Sequence, residues 1–63
     1  MIRLDAGTRT VVATCAACPS WRELRGTRPA AQLEAARHLE LVHGATRRAR
    51  ELRELATRAT RPK

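Results

Sequence analysis

The first part of the chain consists of short runs of apolar and strand-forming residues separated by turn residues, which is typical of β-strands. Residues 2–4 and 9–14 form two such segments around a turn that contains Gly7, and the second segment is rich in Thr and Val. Both of these residue types favour strands. Residues 21–24 are a candidate return strand that ends before Gly26. The pattern therefore predicts two strands and a short third strand.

The second part of the chain changes to helical periodicity, with apolar residues three and four positions apart. Two helices are predicted, over residues 29–43 and 46–60. Thr27 or Arg28 is suited to the N-cap of the first helix, and Gly44 is suited to the left-handed position that follows its end. Strands come first and helices second, which predicts an α+β arrangement.

The first predicted helix has a broad apolar face and a thinner apolar strip opposite it when its residues are placed at about 100° intervals. The broad face comprises Ala31, Ala35, Ala36, His38, Leu39, Val42 and His43. The thin strip contains Leu33 and Leu41. The broad face is the expected core face, whereas the strip needs the second helix or another molecule to cover it.

Two cysteines and two histidines carry the most specific chemistry in the sequence. They are spaced as Cys-x2-Cys, nineteen intervening residues and His-x4-His, and they are Cys15, Cys18, His38 and His43. A Cys-x2-Cys turn lets two thiolates converge on one ion, and two histidines near a helix end can complete a tetrahedron. The histidines lie about 140° apart on an ideal helix, so the last turn must tighten or unwind. Two sulfur and two nitrogen ligands are the preference of zinc.

A structural Zn²⁺ ion also suits the small size of the core. The chain has only 13 bulky apolar side chains, and a domain this small usually needs a metal, a disulfide or a partner. Because protein ligands fill all four positions, the predicted ion is structural and not catalytic. Three alternatives stay open: a disulfide or redox pair, cysteines buried as small apolar residues, or surface histidines without a ligand role.

The length and composition exclude several classes of protein. Sixty-three residues cannot hold a dinucleotide-binding or barrel enzyme, and no run of 18 apolar residues predicts a membrane span. The sequence also lacks a Ser-His-Asp set, a Gly-rich phosphate loop and paired catalytic carboxylates. Its first residues do not have the pattern of a signal peptide. We therefore expect a cytoplasmic protein that is not an enzyme and that binds neither a membrane nor a small-molecule substrate.

Basic residues outnumber acidic residues 13 to 6, which gives the chain a net charge of +7. The excess is uneven, because residues 1–43 carry a net charge of +2 and residues 44–63 carry +5. This distribution favours a polyanionic partner, above all a nucleic acid. The exposed row of the first helix carries Glu34 and Glu40 and is a poor phosphate surface. The candidate phosphate contacts are Arg47, Arg48, Arg50 and Arg53 in the second helix, and Arg22, Arg25 and Arg28 between the metal ligands.

The second predicted helix has an apolar stripe of its own, and Pro62 is expected to end the helix. The stripe comprises Ala45, Ala49, Leu52, Leu55, Ala56 and Ala59. Three roles are open for this helix. The helix could pack on the Leu33–Leu41 strip of the first helix, it could form an arm that binds phosphates, or it could dimerise through Leu52 and Leu55.

Five positions match a known zinc-binding pattern, and they are Cys15, Cys18, Trp21, His38 and His43. Residues 10–44 resemble a two-cysteine, two-histidine zinc finger of the ββα type. They are especially similar to small Cys-x2-Cys-x2-Trp…His-x4-His proteins of actinobacteria, their phages and mobile elements. The resemblance implies zinc ligation by the two cysteines and two histidines and an aromatic residue in the core. It also implies nucleic-acid binding, commonly through the finger helix.

The sequence departs from that pattern at several points. The nineteen residues between the inner ligands form a long spacing, so Gly26 and its neighbours are expected to form an extra loop. Ala35 stands three positions before the first histidine, where the pattern has Leu. Trp21 is the expected main core residue, packing on Val12, Leu39 and the ligand imidazoles, and a base-stacking surface is its alternative role.

The sequence as a whole predicts a small α+β domain held together by a metal. A β-hairpin with a zinc-binding turn packs on one helix, and a second, basic helix follows. Residues 1–44 form the zinc-finger-like module, and residues 45–63 form the basic C-terminal helix and tail. The predicted function is a zinc-stabilised regulatory or accessory protein that binds nucleic acid, with DNA favoured, through Arg–phosphate contacts. The alternative is a module that docks on a larger host or phage protein, with arginines that only keep it soluble.

Overall fold

The computed structural model describes residues 2–60 and has a small α+β architecture. Three strands form one antiparallel sheet in the order β1-β2-β3, and two helices follow. The elements are β1 (Ile2–Ala6), β2 (Val11–Cys15), β3 (Cys18–Arg25), α1 (Arg28–His43) and α2 (Thr46–Thr60). The predicted element order is therefore confirmed. The expected helix stop at Pro62 lies outside the described residues.

The central strand β2 buries alternate residues against α1. Val11, Ala13 and Cys15 are buried, whereas Val12 and Thr14 are half-buried on the other face of the sheet. Trp21 packs on the cluster that contains Val11 and Ala13. The expected packing of Trp21 on Val12 is therefore wrong, because side chains alternate strictly along a strand and Val12 points away from the helix.

The third strand is longer than predicted, and its start is irregular. Thr14 pairs with Arg22 and Cys15 pairs with Cys18, which leaves residues 19–21 without partners in β2. Such a bulge re-aims the side chains beside it. The strand then continues to Arg25, so only two residues separate it from α1. The extra loop expected around Gly26 is therefore wrong, because the long spacing between the inner ligands is taken up by the strand.

Both ends of α1 follow the capping rules. The hydroxyl of Thr27 accepts a hydrogen bond from the backbone N–H of Ala30 at 3.3 Å, which satisfies one of the free donors of the first turn. Gly44 has φ of 63° and ends the helix in the left-handed region. The backbone N–H groups of Gly44 and Ala45 both donate to the carbonyl of Leu39. These bonds are wider than the helical i→i−4 bond, so the chain unwinds directly after His43.

Helix α1 lies between the other elements, because it packs on the sheet with one side and on α2 with another. Most of the buried side chains are alanines, and Leu39 is the largest fully buried side chain among the described residues. The cluster between the two helices and their neighbours comprises Ala35, Ala36, Leu39, Ala49 and Leu52, with Ile2, Trp21 and Ala45 packed against it. Small side chains let the helix backbones approach closely.

Two details of the predicted packing are wrong. Leu41 is 70% exposed and Leu33 is 48% exposed, so α2 does not cover that strip. Helix α2 covers the side of α1 that carries Ala36 and Leu39. The buried residues of α2 are mostly alanines, and these short side chains are in contact only when the two helices lie close together. Val42, which was expected on the core face, is 58% exposed. No helix within residues 2–60 is long and apolar enough to cross a membrane.

Candidate metal centre

The four predicted ligands converge at one corner of the fold. Cys15 ends β2, Cys18 begins β3, and His38 and His43 lie in the last two turns of α1. One potential ligand atom from each residue lies within 4.8 Å of those of the other three. The turn between Cys15 and Cys18 and the packing of α1 on β2 therefore place two sulfur and two nitrogen donors together.

The distances around His43 fit a tetrahedral ion. Its Nε2 atom lies 3.5 Å from Sγ of Cys15 and 3.4 Å from Sγ of Cys18. In a tetrahedral site with zinc–sulfur bonds of about 2.3 Å and zinc–nitrogen bonds of about 2.05 Å, the ligand nitrogen and sulfur are about 3.6 Å apart. The two observed distances, which are also those of sulfur–nitrogen hydrogen bonds, are therefore compatible with atoms that bind one ion.

His38 supplies independent support, because its ring is buried without a polar partner. The side chain is 7% exposed, and its Nε2 atom has no hydrogen-bond partner among the described residues. A buried polar atom without a partner is costly unless something else binds it. A metal ion at the centre of the four residues would satisfy this requirement.

The orientation of His38 is controlled by Trp21. The two rings are stacked with centroids 4.1 Å apart and an interplanar angle of 22°. On its other side, the His38 ring meets His43 edge-on at 5.0 Å. Trp21 therefore packs on a ligand imidazole, as the sequence predicts, and its indole is part of the interior surface beside the site.

The pKa shifts of His38 and Cys18 act on metal binding in opposite directions. Burial lowers the pKa of His38, and the nearby His43 lowers it further, so the imidazole stays neutral and able to bind a metal. Burial raises the pKa of the Cys18 thiol, and the neighbouring Cys15 raises it further through a hydrogen bond and its charge. Metal binding would therefore release a proton from Cys18.

The geometry bears on the alternatives for these residues. The histidines are not an incidental surface pair, because His38 is buried and both rings take part in the cluster. Both cysteines are free thiols. The four residues thus form a group that can hold a metal ion with no position left for an external ligand in a tetrahedral arrangement.

Three of the seven arginines predicted to contact phosphates are held in ion pairs. Arg25 lies between Glu23 of β3 at 3.0 Å and Glu34 of α1 at 3.3 Å. Arg53 binds both carboxylate oxygens of Glu40 across the α1–α2 interface, at 2.7 and 3.1 Å. Arg48, in the first turn of α2, pairs with Glu51 at 3.1 Å, one turn later in the same helix.

The other four predicted contacts, Arg22, Arg28, Arg47 and Arg50, are exposed and have no ion pair within residues 2–60. Arg9, Arg37 and Arg58 share this property and were not predicted as contacts. No local pattern in the sequence could identify them, because the pairing of a carboxylate with one arginine rather than another depends on the tertiary fold. The seven unpaired arginines are distributed over the sheet and both helices.

A groove of 480 Å³ runs between β3 and α1 beside the metal centre. Its floor includes Trp21, and its helix wall includes Leu41, Val42 and Arg37. The sequence predicted that the apolar strip with Leu41 needs a cover, but the groove itself depends on the spacing between strand and helix.

Comparison with protein-family models, curated proteins and solved structures finds no match to this chain. The zinc-finger resemblance therefore rests on the ligand set and its spacing.

Proposed function

We propose that this chain is a zinc-stabilised, non-enzymatic protein that binds DNA as a regulatory or accessory factor. In this proposal a single Zn²⁺ ion fixes the sheet to α1, and arginines outside the metal centre bind backbone phosphates. The assignment to small prokaryotic zinc-finger proteins belongs to the same proposal and is supported by the ligand spacing.

The donor chemistry supports zinc as the metal. Two thiolates and two neutral imidazoles are a common structural zinc set, and the sulfur–nitrogen distances match that ion. The metal would contribute about 10–16 kcal/mol of apparent binding free energy, which is large beside a core, within residues 2–60, of two leucines, one valine, one cysteine and six alanines. All four ligands come from the chain, so the proposed ion is structural.

The single observation that carries the nucleic-acid proposal is the excess of arginines over available carboxylates. Five of the six acidic side chains are held in ion pairs by only four arginines. Seven further arginines within residues 2–60 take part in none of these pairs. Exposed guanidinium groups without carboxylate partners are suited to phosphate contacts that are independent of base sequence.

The proposal is tested by fluorescence anisotropy of the zinc-loaded protein on a labelled random duplex between 50 and 200 mM salt. Each phosphate contact contributes about 0.9 to the slope of log K against log salt. If Arg47 and Arg50 both bind phosphates, the double substitution R47A/R50A lowers the slope by about 1.8. The matched control R48A/R53A removes the same charge from arginines that already bind glutamates, and it should lower the slope less. No binding at 50 mM salt, or a slope near zero, would contradict the proposal.

A second candidate function is docking on a protein through the groove beside the metal centre. The specific observation is that Leu41 and Val42 are the two most exposed large apolar side chains within residues 2–60, and both line this groove. A partner with an apolar anchor therefore fits the groove, whose charged lining comprises Arg37, Glu23 and Glu34. Salt-independent binding of a protein, lost in L41A and retained in R47A/R50A, would favour this function.

A further inference from the structure

The face of the sheet that points away from α1 is open and carries basic residues. Arg3 pairs with Thr14, and Thr14 pairs with Arg22, so these three side chains project from one face in a row across the strands. The next row consists of Asp5, Val12 and Leu24. Both arginines are exposed, and Leu24 is 52% exposed. No helix covers this face.

Two further arginines lie at the end of the sheet farther from the metal centre, beside the open face rather than on it. Arg9 lies in the turn between β1 and β2, and Arg28 begins α1 after a connection of two residues from β3. The pairing of Ala6 with Val11 and of Val11 with Arg25 brings these two connections to the same end. We call Arg3, Arg9, Arg22 and Arg28 the sheet patch.

The sheet patch has a clear positive charge. Asp5 is the only acidic residue on the open face, because Glu23 points towards α1 and pairs with Arg25. Asp5 pairs with Arg3 at 3.2 Å, and both side chains are more than half exposed. Such an exposed pair is weak, so Arg3 can exchange the carboxylate for a phosphate.

Helix α1 is poorly placed to contact a nucleic acid. The sheet packs on one side of it and α2 on another, and its remaining surface presents Leu33, Arg37 and Leu41 together with Glu34. A recognition helix must enter the major groove with a polar and basic face. The remaining candidate surfaces are therefore α2 and the open face of the sheet. Within residues 2–60, the unpaired arginines of α2 lie along one helix that packs on α1 and not on the sheet, whereas the open face of the sheet is broad.

We propose that the sheet patch docks on the major-groove side of a B-form DNA duplex, an inference that rests on the proposed function. Three strands at about 4.8 Å spacing are about 10 Å across, which matches a major groove about 12 Å wide. Arg3 and Arg22 lie on the two outer strands and reach the phosphates on opposite walls. Thr14 lies between them and faces the groove floor.

A duplex fits this surface better than a single strand. Proteins that bind single strands stack bases on aromatic side chains. Trp21 is the sole aromatic residue of the chain, and its ring is stacked on His38 on the inner side of the sheet. The open face therefore offers cations without a stacking surface. An RNA duplex fits less well, because the major groove of the A-form is deep and narrow.

The test uses the zinc-loaded full chain and anisotropy titrations on a DNA duplex, its single strand and the corresponding RNA duplex. R22A/R28A should lower the salt slope on the DNA duplex by about 1.8, and R22K/R28K should retain it. Tighter binding to the single strand, or equal binding to the RNA duplex, would overturn the assignment.

A variant that should bind DNA more tightly distinguishes this inference from a general loss of folding, because unfolding can only weaken binding. D5N removes the one acidic residue of the open face and should tighten duplex binding several-fold at 150 mM salt, where the Debye length is about 8 Å. E23Q makes the same charge change on the inner side of the sheet and should have a smaller effect. If the wild type binds the duplex but R22A/R28A keeps its slope, the sheet inference is wrong and the proposed function stands. If the wild type does not bind, both are wrong.

Discussion

Truncation of Leu39 tests whether the metal, rather than the core, keeps this chain folded. Leu39 is 1% exposed, and its neighbours in the core cluster include Ala35, Ala36 and Ala49. Short alanine side chains cannot move into the space that L39A leaves, so the cost should lie at about 3–5 kcal/mol. This cost is smaller than the contribution of about 10–16 kcal/mol expected from a structural zinc ion. We therefore expect zinc-loaded L39A to stay folded, and metal-free L39A to be unfolded, as the metal-free wild type is.

The assay is urea unfolding followed by circular dichroism, at a fixed free zinc concentration and again with excess chelator. The matched control is L41A, the same substitution two residues along α1 at a side chain that is 70% exposed, which should change stability by no more than about 0.5 kcal/mol. Equal destabilisation by the two substitutions would refute the packing described for α1. A chelated L39A protein that unfolds cooperatively would refute the dependence on metal.

Three further predictions follow from the metal centre and from α1. The affinity for zinc should fall at least tenfold per pH unit below neutrality, because the raised pKa of Cys18 keeps its thiol protonated there; a pH-independent affinity by competition with a chelating dye would contradict this. G44A should cost about 1–2 kcal/mol in thermal unfolding, since φ of 63° strains any residue with a Cβ. The salt bridge to Arg53 lowers the pKa of Glu40, so this pair stabilises the fold above the usual pKa of a glutamate. That stability is lost as the pH falls through the lowered value. At neutral pH, where zinc stays bound, E40Q should therefore unfold at a lower temperature than the wild type, and an equal unfolding temperature would contradict this.

The ligand set and the helices could be predicted because their signals are local. Cys-x2-Cys and His-x4-His are short patterns whose chemistry depends on few neighbours, and all four residues meet in the structure. The cap at Thr27 and the left-handed Gly44 act within one turn of α1, and both have the predicted roles. Local capping chemistry determined these boundaries.

The errors concern properties that depend on tertiary contacts. The buried face of β2 was misjudged because Val11 and Val12 are adjacent and equally apolar, and only the position of α1 decides which of them points inwards. The predicted packing of α2 on the Leu33–Leu41 strip is wrong because α2 packs on an alanine-rich side of α1 instead. The fold leaves Leu33 and Leu41 exposed and brings Ala36 close to Ala49.

The division of the arginines shows the same limit. In the sequence, Arg25 and Arg53 look like any other basic residue of their segments. Arg53 pairs with a glutamate 13 residues away, which no local pattern predicts. Arg3 joins Arg22 only through the register of three strands. The distribution of charge along the chain therefore indicated a polyanionic partner but not the surface that would bind it.

The central claim is that one zinc ion bound by Cys15, Cys18, His38 and His43 holds the fold together. Mass spectrometry under native conditions, with circular dichroism before and after exhaustive chelation, tests it most directly. We predict one zinc ion per chain, and loss of both the ion and the folded signal on chelation, with recovery when zinc is returned. A chain that stays folded with two free thiols and no bound metal would contradict the account.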